Sequence, residues 1–378
     1  MVFVLVAVSR CIIQLIGRMS VARVTGHVER AVLDLMKLRQ HEPKWTQAFS
    51  AVQRIALSPQ KSLVRPRLVL LGSDLQDPSP AIEGLEMFAA GVELHHLFMF
   101  VHDDLMDHAF TRRGVDTIQV AISTRSEHDK RYFSNETVQH LTTLVGDVLQ
   151  AKSFELLQRG EQLSGSKNQA SIAILEGAYS AGAAQFDDLL GWAGVEKAIE
   201  MSSNTHDSLL RRLLYDKASH HSFAAPVIAG MRLGGNVLEE QLVIDWAEHC
   251  GAAYQALDDV LDLVVDVAES GKDKLQDIKE GRLSLPLFLL RQRASGQEWR
   301  QVYDLLGGFQ MSPSERHLMI KLVEKYQLPK AALGFANQEI ESASKKVKEF
   351  KSMKLQNGLN ELLEALKQRS ASLNKKIE

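Results

Sequence analysis

The chain has 378 residues, 45% of them hydrophobic and 24% charged, which is enough to bury a large core in one big domain or two smaller ones. A formal net charge of -3 and a pI near 6.5 argue against a general binder of nucleic acid or of acidic membranes, because such proteins carry a basic face. The two cysteines, Cys11 and Cys250, are too few for a disulfide framework or a cysteine metal site. We therefore expect a protein of the reducing cytoplasm that acts on a small molecule.

Residues 1–18 form an apolar N-terminal extension, which Arg10 and Gln14 interrupt. The extension lacks the leading positive charge of a signal peptide, and it is shorter than the roughly 20 apolar residues of a membrane span. We interpret it as sequence upstream of a true start at Met19, with a weak membrane anchor as the alternative. No stable membrane insertion is expected.

Apolar residues at helical spacing dominate the rest of the chain, and no alternating strand pattern competes with them. Prolines are absent from 81–225 and from 227–285, so long helices are permitted there. Residues 19–378 are therefore predicted to form a single all-α domain, a bundle of long helices. The predicted helices cover 20–40, 44–57, 64–71, a long segment after the turn at 77–80 that ends at Asp107, 136–157, 171–190, 207–233, 238–267 and several segments of the remainder.

Two clusters of aspartates occur within strongly apolar helical segments. In the first, Asp103 and Asp107 lie one turn apart on one helical face, and in the second Asp258 and Asp262 repeat the spacing. Like charges so placed destabilise a helix, which indicates a bound cation. Mg2+ takes carboxylate oxygens, waters and substrate phosphates as ligands, so two such clusters facing across a bundle suit a diphosphate. The alternative is that each cluster is a solvated helix face, which the occurrence of two clusters disfavours.

Basic residues near these clusters fit the same ligand. A diphosphate needs positive side chains as well as metal, and arginine offers it a fork of donors. Arg112 and Arg113 follow the first cluster closely. Further isolated cations near apolar segments are Lys61, Arg65, Lys217 and Lys272, each of which, taken alone, is better explained as surface charge.

In their order and spacing, these motifs closely resemble those of the trans-isoprenyl diphosphate synthases, the family of farnesyl and geranylgeranyl diphosphate synthases. The resemblance runs from about Lys61 to Pro286, which is most of the chain. The matching segments are Glu93-Leu94-His95-His96, Val101-His102-Asp103-Asp104-Leu105-Met106-Asp107, Arg112-Arg113-Gly114, Gly146-Asp147-Val148-Leu149, Gln185 with Asp188-Leu189, Tyr254-Gln255-Ala256-Leu257-Asp258-Asp259-Val260-Leu261-Asp262, Gly271-Lys272 and Asp277-Ile278-Lys279-Glu280-Gly281-Arg282-Leu283-Ser284-Leu285-Pro286.

The resemblance implies an isoprenoid synthase-like fold, with long helices around a central apolar cavity, that works as a homodimer. It implies a prenyltransferase that condenses isopentenyl diphosphate head-to-tail with dimethylallyl, geranyl or farnesyl diphosphate. Mg2+, with Mn2+ as a possible substitute, is then held by Asp103, Asp107 and Asp258, with Asp262 acting through water or Lys272. The allylic diphosphate is assigned to Arg112, Lys217, Gln255 and Lys272, and isopentenyl diphosphate to Lys61, Arg65, His96 and Arg113.

The chain departs from the family pattern at two of these positions. Lys61 and Arg65 are separated by three residues where the family usually has two, and Gln60 replaces a glycine. Ala218 stands after Lys217 where the family typically has threonine, and Ser219 follows it. The missing hydroxyl removes one hydrogen bond on the allylic side, typically worth about 0.5–1.5 kcal/mol.

Product length is predicted from the residues one turn before Asp103, which share its helical face and form the wall along which a chain grows. In the resembled family, an aromatic residue five positions before the first aspartate goes with a C20 product, and aromatics at both upstream positions go with C15. Here Phe98 takes the fifth position and the flexible Met99 the fourth. We expect geranylgeranyl diphosphate, with farnesyl diphosphate as the alternative. Phe100 is expected to be an ordinary core residue, and the competing interpretation of Phe98 is that it is one as well.

Three other functions compete with this prediction. A terpene cyclase shares the helical fold but normally carries an Asn/Ser/Glu metal triad in place of the second cluster, Asp258 to Asp262. A non-catalytic regulatory subunit of a prenyl synthase should have lost metal or diphosphate ligands, yet both clusters and Arg112 are intact. A helical scaffold without a ligand is the third alternative.

Overall fold

The computed structural model describes residues 18–73, 80–124, 133–167, 169–201, 206–264, 275, 278, 280–307 and 311–378. Several predicted features lie outside these residues: residues 1–17 of the N-terminal extension, most of the turn at 77–80, the end of the predicted helix 238–267, Gly271, Lys272, Asp277 and Lys279. Within the described part of the chain, no helix has the length and apolarity that a membrane span needs.

Helices make up nearly all of the described structure, which confirms the all-α prediction. The elements are α1 (Arg18–Leu38), α2 (Pro43–Leu57), α3 (Val64–Gly72), α4 (Pro80–Met106), β1 (Thr111–Arg112), β2 (Val115–Asp116), α5 (Ile118–Ser123), α6 (Asn135–Ser164), α7 (Ala170–Met201), α8 (His206–Leu214), a π-helix (Tyr215–Ala224), α9 (Ala225–Leu233), α10 (Glu240–Val264), α11 (Leu285–Arg293), α12 (Gly296–Tyr303), α13 (Pro313–Lys325), α14 (Leu328–Val347) and α15 (Met353–Ile377).

Local sequence signals explain where several helices begin and end. The hydroxyl of Ser134 accepts a hydrogen bond from the backbone N–H of Thr137 at 3.2 Å and so caps α6, whose C-terminal cap is Gly165 at a φ of 73°. The segment 207–233 differs from the single helix predicted for it, because a π-helix separates α8 from α9. The composition of this segment is typical of a helix throughout, so the apolar spacing does not reveal the wider turn of the π-helix.

The helices group into two compact units, and the prediction of a single domain from 19 to 378 stays a prediction. The first unit, called here the N-terminal unit, comprises Val2–Ile174 and Pro226–Val237. Its core is built on α4 and α6, which pack along much of their lengths. They approach closely at Gly160, where a side chain would meet the backbone N of Phe88 at 2.5 Å. The N-terminal unit contains the first aspartate motif.

The second unit, called here the C-terminal unit, comprises Leu175–Ala225 and Leu238–Glu378. Its long helix α10 packs against the π-helix, α14 and α15. An aromatic cluster fills another part of this unit, with the ring of Trp192 centred 4.6 Å from that of Phe288 and 5.1 Å from that of Trp299. The C-terminal unit contains the second aspartate motif, on α10.

Candidate active site

The first aspartate motif forms the last turn of α4, and its three carboxylates differ in exposure. Asp104 is buried, whereas Asp103 and Asp107 are partly exposed. Arg112 donates from Nε to Oδ1 of Asp104 at 2.7 Å and from Nη2 to Oδ2 of Asp103 at 3.0 Å, and Nη2 also contacts Asp104. Burial raises the pKa of Asp104 to about 6, and the guanidinium opposes that shift. Burial would lower the pKa of Arg112, but the charges of Asp104 and Asp103 outweigh it and raise that pKa.

A two-residue hairpin directs the arginines that follow the motif. Strands β1 and β2 pair antiparallel, with Arg112 opposite Val115. The two residues between them, Arg113 and Gly114, have φ values of 52° and 77°, as the favoured two-residue hairpin loops require. The hairpin holds the guanidinium of Arg112 4.4 Å above the ring of Phe100. The Arg112-Arg113-Gly114 sequence therefore forms the hairpin turn and also provides the two cations.

Arg113 is a buried cation with fixed partners. Its Nη2 donates to Oε1 of Glu93 at 2.9 Å and its Nη1 to the carbonyl oxygen of Ile55 at 3.2 Å. Lys61 belongs to the same environment: burial lowers the pKa of its ammonium, which also interacts with the charges of Glu93 and Arg113. Lys61 and Arg113, both predicted for the second substrate, are thus brought together.

Arg65 and His96, the other residues predicted for isopentenyl diphosphate, are in direct contact. Arg65 donates from Nη1 to Nε2 of His96 at 2.8 Å. The imidazole of His96 in turn lies against Phe100, with ring centroids 3.9 Å apart. Phe100 is buried, as predicted for a core residue, and its ring also faces the cations of Arg112 and Arg113. The sequence alone did not indicate this second role.

The predicted chain-length residues lie on the same helix, nearer its middle. Phe98 and Met99 are both half-buried. The ring of Phe98 meets the imidazole of His95 edge-on at 4.7 Å, and that imidazole lies 6.1 Å from the ring of Phe154. Burial, with a smaller effect of Arg65, lowers the pKa of His95 to about 4, so its ring is neutral at physiological pH.

The Gly146-Asp147 segment of α6 has a structural explanation. His102 of α4 places Nε2 3.2 Å from the carbonyl oxygen of Thr143 and 3.6 Å from Oδ1 of Asp147. A side chain at Gly146 would meet this imidazole at 2.3 Å. Glycine is needed there because His102 occupies the space beside the helix.

Asp103 and Asp107 provide the donors that a hard divalent cation prefers. Mg2+ is usually held by one or two carboxylates together with waters and substrate phosphates. The side chain of Asp103 is 36% exposed, and Asp107 lies one turn further along the chain. In the part of the chain that the structure describes, no group of three or more His, Cys, Asp or Glu side chains is arranged as a metal site. The two aspartates nevertheless fit Mg2+, because such a site takes its remaining ligands from water and substrate.

In the second aspartate motif, the middle carboxylate has structural partners. Asp259 is buried on α10 and accepts a hydrogen bond at Oδ1 from Nε2 of Gln255, at 2.8 Å. Its Oδ2 accepts from the backbone N–H of Leu285, also at 2.8 Å, at the beginning of α11. Gln255 and Asp259 therefore connect α10 to the helix that follows the Gly271 to Arg282 region.

Asp258 and Asp262, the predicted metal residues of this motif, lie on α10 with partial exposure. Oδ1 of Asp258 accepts from Nη2 of Arg369, on α15, at 3.2 Å. The carbonyl oxygen of Asp262 accepts from the backbone N–H of Leu275 at 3.1 Å. Arg369 was not among the predicted site residues.

Lys217, in the π-helix, lies beside Asp188, the buried aspartate of the matching segment formed by Gln185 and Asp188-Leu189. Its Nζ donates to Oδ1 of Asp188 at 3.1 Å. Asp188 also accepts from Nη1 of Arg282 at 3.2 Å and from the backbone N–H of Leu283 at 3.1 Å. Asp188 thus joins α7, the π-helix and the approach to α11, which the sequence motif alone does not reveal.

The hydroxyl next to Ala218 does not replace the missing threonine. Ser219 is fully buried, and its Oγ donates toward the carbonyl oxygens of Glu248, at 3.3 Å, and Leu214, at 3.4 Å. These acceptors are backbone atoms of α10 and α8. The hydroxyl of Ser219 therefore stabilises helix packing.

Comparison with known proteins gives one family for most of the chain. Residues 47–323 match the family model described as Polyprenyl synthetase. A short chain isoprenyl diphosphate synthase of Methanothermobacter thermautotrophicus is 28% identical over 65% of this chain and 67% of its own length. A geranylgeranyl diphosphate synthase of Sulfolobus acidocaldarius is 26% identical over 70% of this chain and 73% of its own.

Solved structures share the fold at lower identity. A geranylgeranyl pyrophosphate synthase of Corynebacterium glutamicum, complexed with isoprenyl diphosphate and magnesium, superposes with a TM-score of 0.73 at 18% identity. That alignment covers 92% of this chain and 99% of the other. A polyprenyl synthase of Caulobacter crescentus, complexed with calcium and isoprenyl diphosphate, covers 94% of this chain and 98% of its own with a TM-score of 0.66 at 22% identity.

Proposed function

Because the chain belongs to the polyprenyl synthetase family, we propose that it is a prenyltransferase that condenses isopentenyl diphosphate with an allylic diphosphate into an all-trans prenyl diphosphate. The observation that carries the assignment is the first aspartate motif with its hairpin. There Arg112 fixes the buried Asp104, and the carboxylates of Asp103 and Asp107 remain partly exposed. This arrangement suits a metal-bound diphosphate beside a fixed guanidinium.

Mg2+ is the proposed metal, with Mn2+ as an alternative. The residues that would hold it are Asp103 and Asp107 of the first motif and Asp258 of the second, with Asp262 acting through water. When bound, the metal supplies positive charge that stabilises the leaving diphosphate. Arg112, Lys217, Gln255 and Lys272 are proposed to bind or position the allylic substrate, although Lys272 lies outside the described residues.

The second diphosphate is assigned to Lys61, Arg65, His96 and Arg113. Support comes from two pairs in the N-terminal unit: Arg65 contacts His96, and Lys61 and Arg113 both interact with the charge of Glu93. Both pairs lie near the ring of Phe100 or the carboxylate of Glu93. A concentration of cations favours a bound anion, because the anion relieves the mutual repulsion of the positive charges.

The proposed reaction needs no side-chain base. The allylic carbon–oxygen bond breaks and its electron pair leaves with the diphosphate. The double bond of isopentenyl diphosphate supplies the electrons of the new carbon–carbon bond. A proton then leaves the adjacent carbon, and the released diphosphate is the proposed acceptor. The chain's contribution is to orient two anionic substrates and to stabilise the departing charge.

Geranylgeranyl diphosphate is the proposed product, with farnesyl diphosphate as the second candidate. Phe98 is half-buried on α4, five residues before Asp103, and Met99 lies beside it. The aromatic contacts of Phe98 with His95 and His102 hold its ring in place. A fixed ring limits chain growth more sharply than a flexible methionine does.

We also propose a homodimer. Helix α7 carries large apolar side chains on its surface within the C-terminal unit, with Tyr179 72%, Phe186 65% and Leu190 53% exposed. Their spacing of seven and four residues places them on one helical face. An apolar stripe of this kind favours a protein contact, and light scattering of the purified protein measures whether a second copy provides it.

The cytoplasm is the proposed compartment. Cys250, which the structure describes, is a buried free thiol. Unpaired cysteines are typical of reducing compartments. Fractionation of cells that express the tagged protein tests this location.

Product analysis tests the proposed function. Purified protein is incubated with Mg2+, isopentenyl diphosphate and, in turn, dimethylallyl, geranyl or farnesyl diphosphate, and the products are identified by mass spectrometry. The proposal predicts elongated diphosphates that end at C20. A cyclic hydrocarbon would select the terpene cyclase, whereas activity only after a partner subunit is added would select the regulatory subunit.

A further inference from the structure

The C-terminal helix brings an arginine to the second aspartate motif. Arg369, on α15, donates from Nη2 to Oδ1 of Asp258 at 3.2 Å and toward the carbonyl oxygen of Leu257 at 3.4 Å. Its side chain is 8% exposed and that of Asp258 is 24% exposed. Arg369 lies beyond the region that matches the family model, which ends at residue 323. Arg369 therefore lies outside the shared motifs, whereas Asp258 belongs to one of them.

One nitrogen of this guanidinium lacks a hydrogen-bond acceptor among the described residues. This nitrogen is Nη1 of Arg369, which is buried. An arginine carries only donors, and burial of a donor without an acceptor is unfavourable. Helix packing alone would favour an apolar residue at such a position. The charged hydrogen bond from Nη2 to Asp258 explains the arginine better than helix packing does.

The neighbouring carboxylates show why Asp258 is the residue that needs orientation. Asp259 has both oxygens engaged by Gln255 and the backbone of Leu285, so its position is fixed from within the fold. Asp258 is on the more exposed side of α10, and Arg369 reaches it from a different helix. A charged hydrogen bond to one oxygen sets the rotation of a carboxylate and hence the direction of its other oxygen.

We propose that Arg369 is a positioning residue for the binding of Mg2+ with diphosphate at the second aspartate motif. It orients Asp258 by donating from Nη2 to Oδ1 of that carboxylate. The identity of this ligand rests on the proposed function. The role of Arg369 itself rests on its burial and its contact with Asp258.

Metal-dependent thermal stabilisation tests this role without turnover. The melting temperature is recorded at increasing Mg2+ in the presence of inorganic diphosphate, for the wild type and for Arg369→Met, which keeps an apolar side chain of similar length. We expect the half-saturating Mg2+ concentration to rise about 10-fold in the variant, the usual effect of removing a residue that orients a metal ligand. Lys367→Met, which removes an exposed cation from the same helix, is the control and is expected to match the wild type.

An unchanged half-saturating Mg2+ concentration in Arg369→Met would overturn the proposal. A lower one would overturn it too, because it would show that the guanidinium merely competes with the metal. Absence of any stabilisation of the wild type by Mg2+ and diphosphate would overturn it too. If circular dichroism shows that Arg369→Met does not fold, Arg369→Gln is measured with the same expectation. Failure of the wild type to elongate prenyl diphosphates would instead overturn the proposed function, and the binding comparison would still decide the role of Arg369.

Discussion

The two aspartate motifs share a sequence pattern, but their buried carboxylates are stabilised in different ways. In both, the second aspartate is buried, and the first and last aspartates are more exposed. Asp104 is held by the guanidinium of Arg112, eight residues away, whereas Asp259 is held by the uncharged donors of Gln255 and Leu285. The charge of the second motif is met instead at Asp258, by Arg369. Each motif thus combines one buried structural carboxylate with exposed carboxylates, and the two motifs differ in which groups stabilise the buried carboxylate.

The largest expected effect comes from removing an exposed carboxylate of the first motif. We expect Asp103→Ala to lower kcat by about 100- to 1,000-fold, the usual cost of losing one preorganised electrostatic group, while the far-UV circular dichroism stays unchanged. Asp258→Ala should behave alike. Asp116→Ala, which removes an exposed carboxylate from the nearby hairpin, serves as the control. Near-wild-type turnover in Asp103→Ala would contradict its assignment as a metal residue.

The difference between the buried carboxylates predicts a difference in stability. Arg112→Met leaves Asp104 buried beside no counter-ion, and we expect the free energy of unfolding to fall by about 3 kcal/mol. Asp259→Asn exchanges one acceptor oxygen for a donor group, and we expect a smaller loss of about 1–2 kcal/mol. Urea unfolding without added metal measures both. Equal losses in the two variants would show that the motifs are not stabilised differently.

A buried imidazole in the N-terminal unit gives that unit a pH-dependent stability. The folded pKa of His95 is about 4, below its ordinary value of 6.5, so the unfolded state binds more protons as the pH falls through this range. The neutral ring makes its full contribution to the free energy of unfolding above pH ~6.5. This contribution, about 3 kcal/mol, is lost as the pH falls from ~6.5 to ~4. His95→Leu should remove this part of the loss in urea unfolding at several pH values. Identical pH slopes in wild type and variant would contradict the assignment.

The smallest expected change concerns product length. Phe98→Ala opens the predicted wall on α4, and we expect longer prenyl chains with little change in stability because the ring is only half-buried. Mass spectrometry of the products measures the shift. Phe110→Ala, at a phenylalanine that is 76% exposed, is the matched control. An unchanged product distribution in Phe98→Ala would remove that residue from the wall.

Sequence reasoning predicted the helices and the chemistry that local spacing encodes. Apolar periodicity gave α1, α4 and α10 close to their observed bounds, whereas α6 ends at Ser164, seven residues beyond its predicted end. Arg112 could be found because it follows Asp107 by five residues. The π-helix could not be predicted, since Tyr215–Ala224 has the composition of an ordinary helix. Nor could the contact of Arg369 with Asp258, because 111 residues separate them and no motif links them. The contacts of Arg113 with Glu93 and of Lys217 with Asp188 could not be predicted either, because they depend on helix packing.

The proposed function requires that this chain elongates a prenyl diphosphate by one isopentenyl unit at a time. The most direct measurement is the mass of the product formed from farnesyl diphosphate and isopentenyl diphosphate with Mg2+. We expect a single C20 diphosphate, formed with release of one inorganic diphosphate per condensation. Recovery of both substrates unchanged, from protein that circular dichroism shows to be folded, would contradict it.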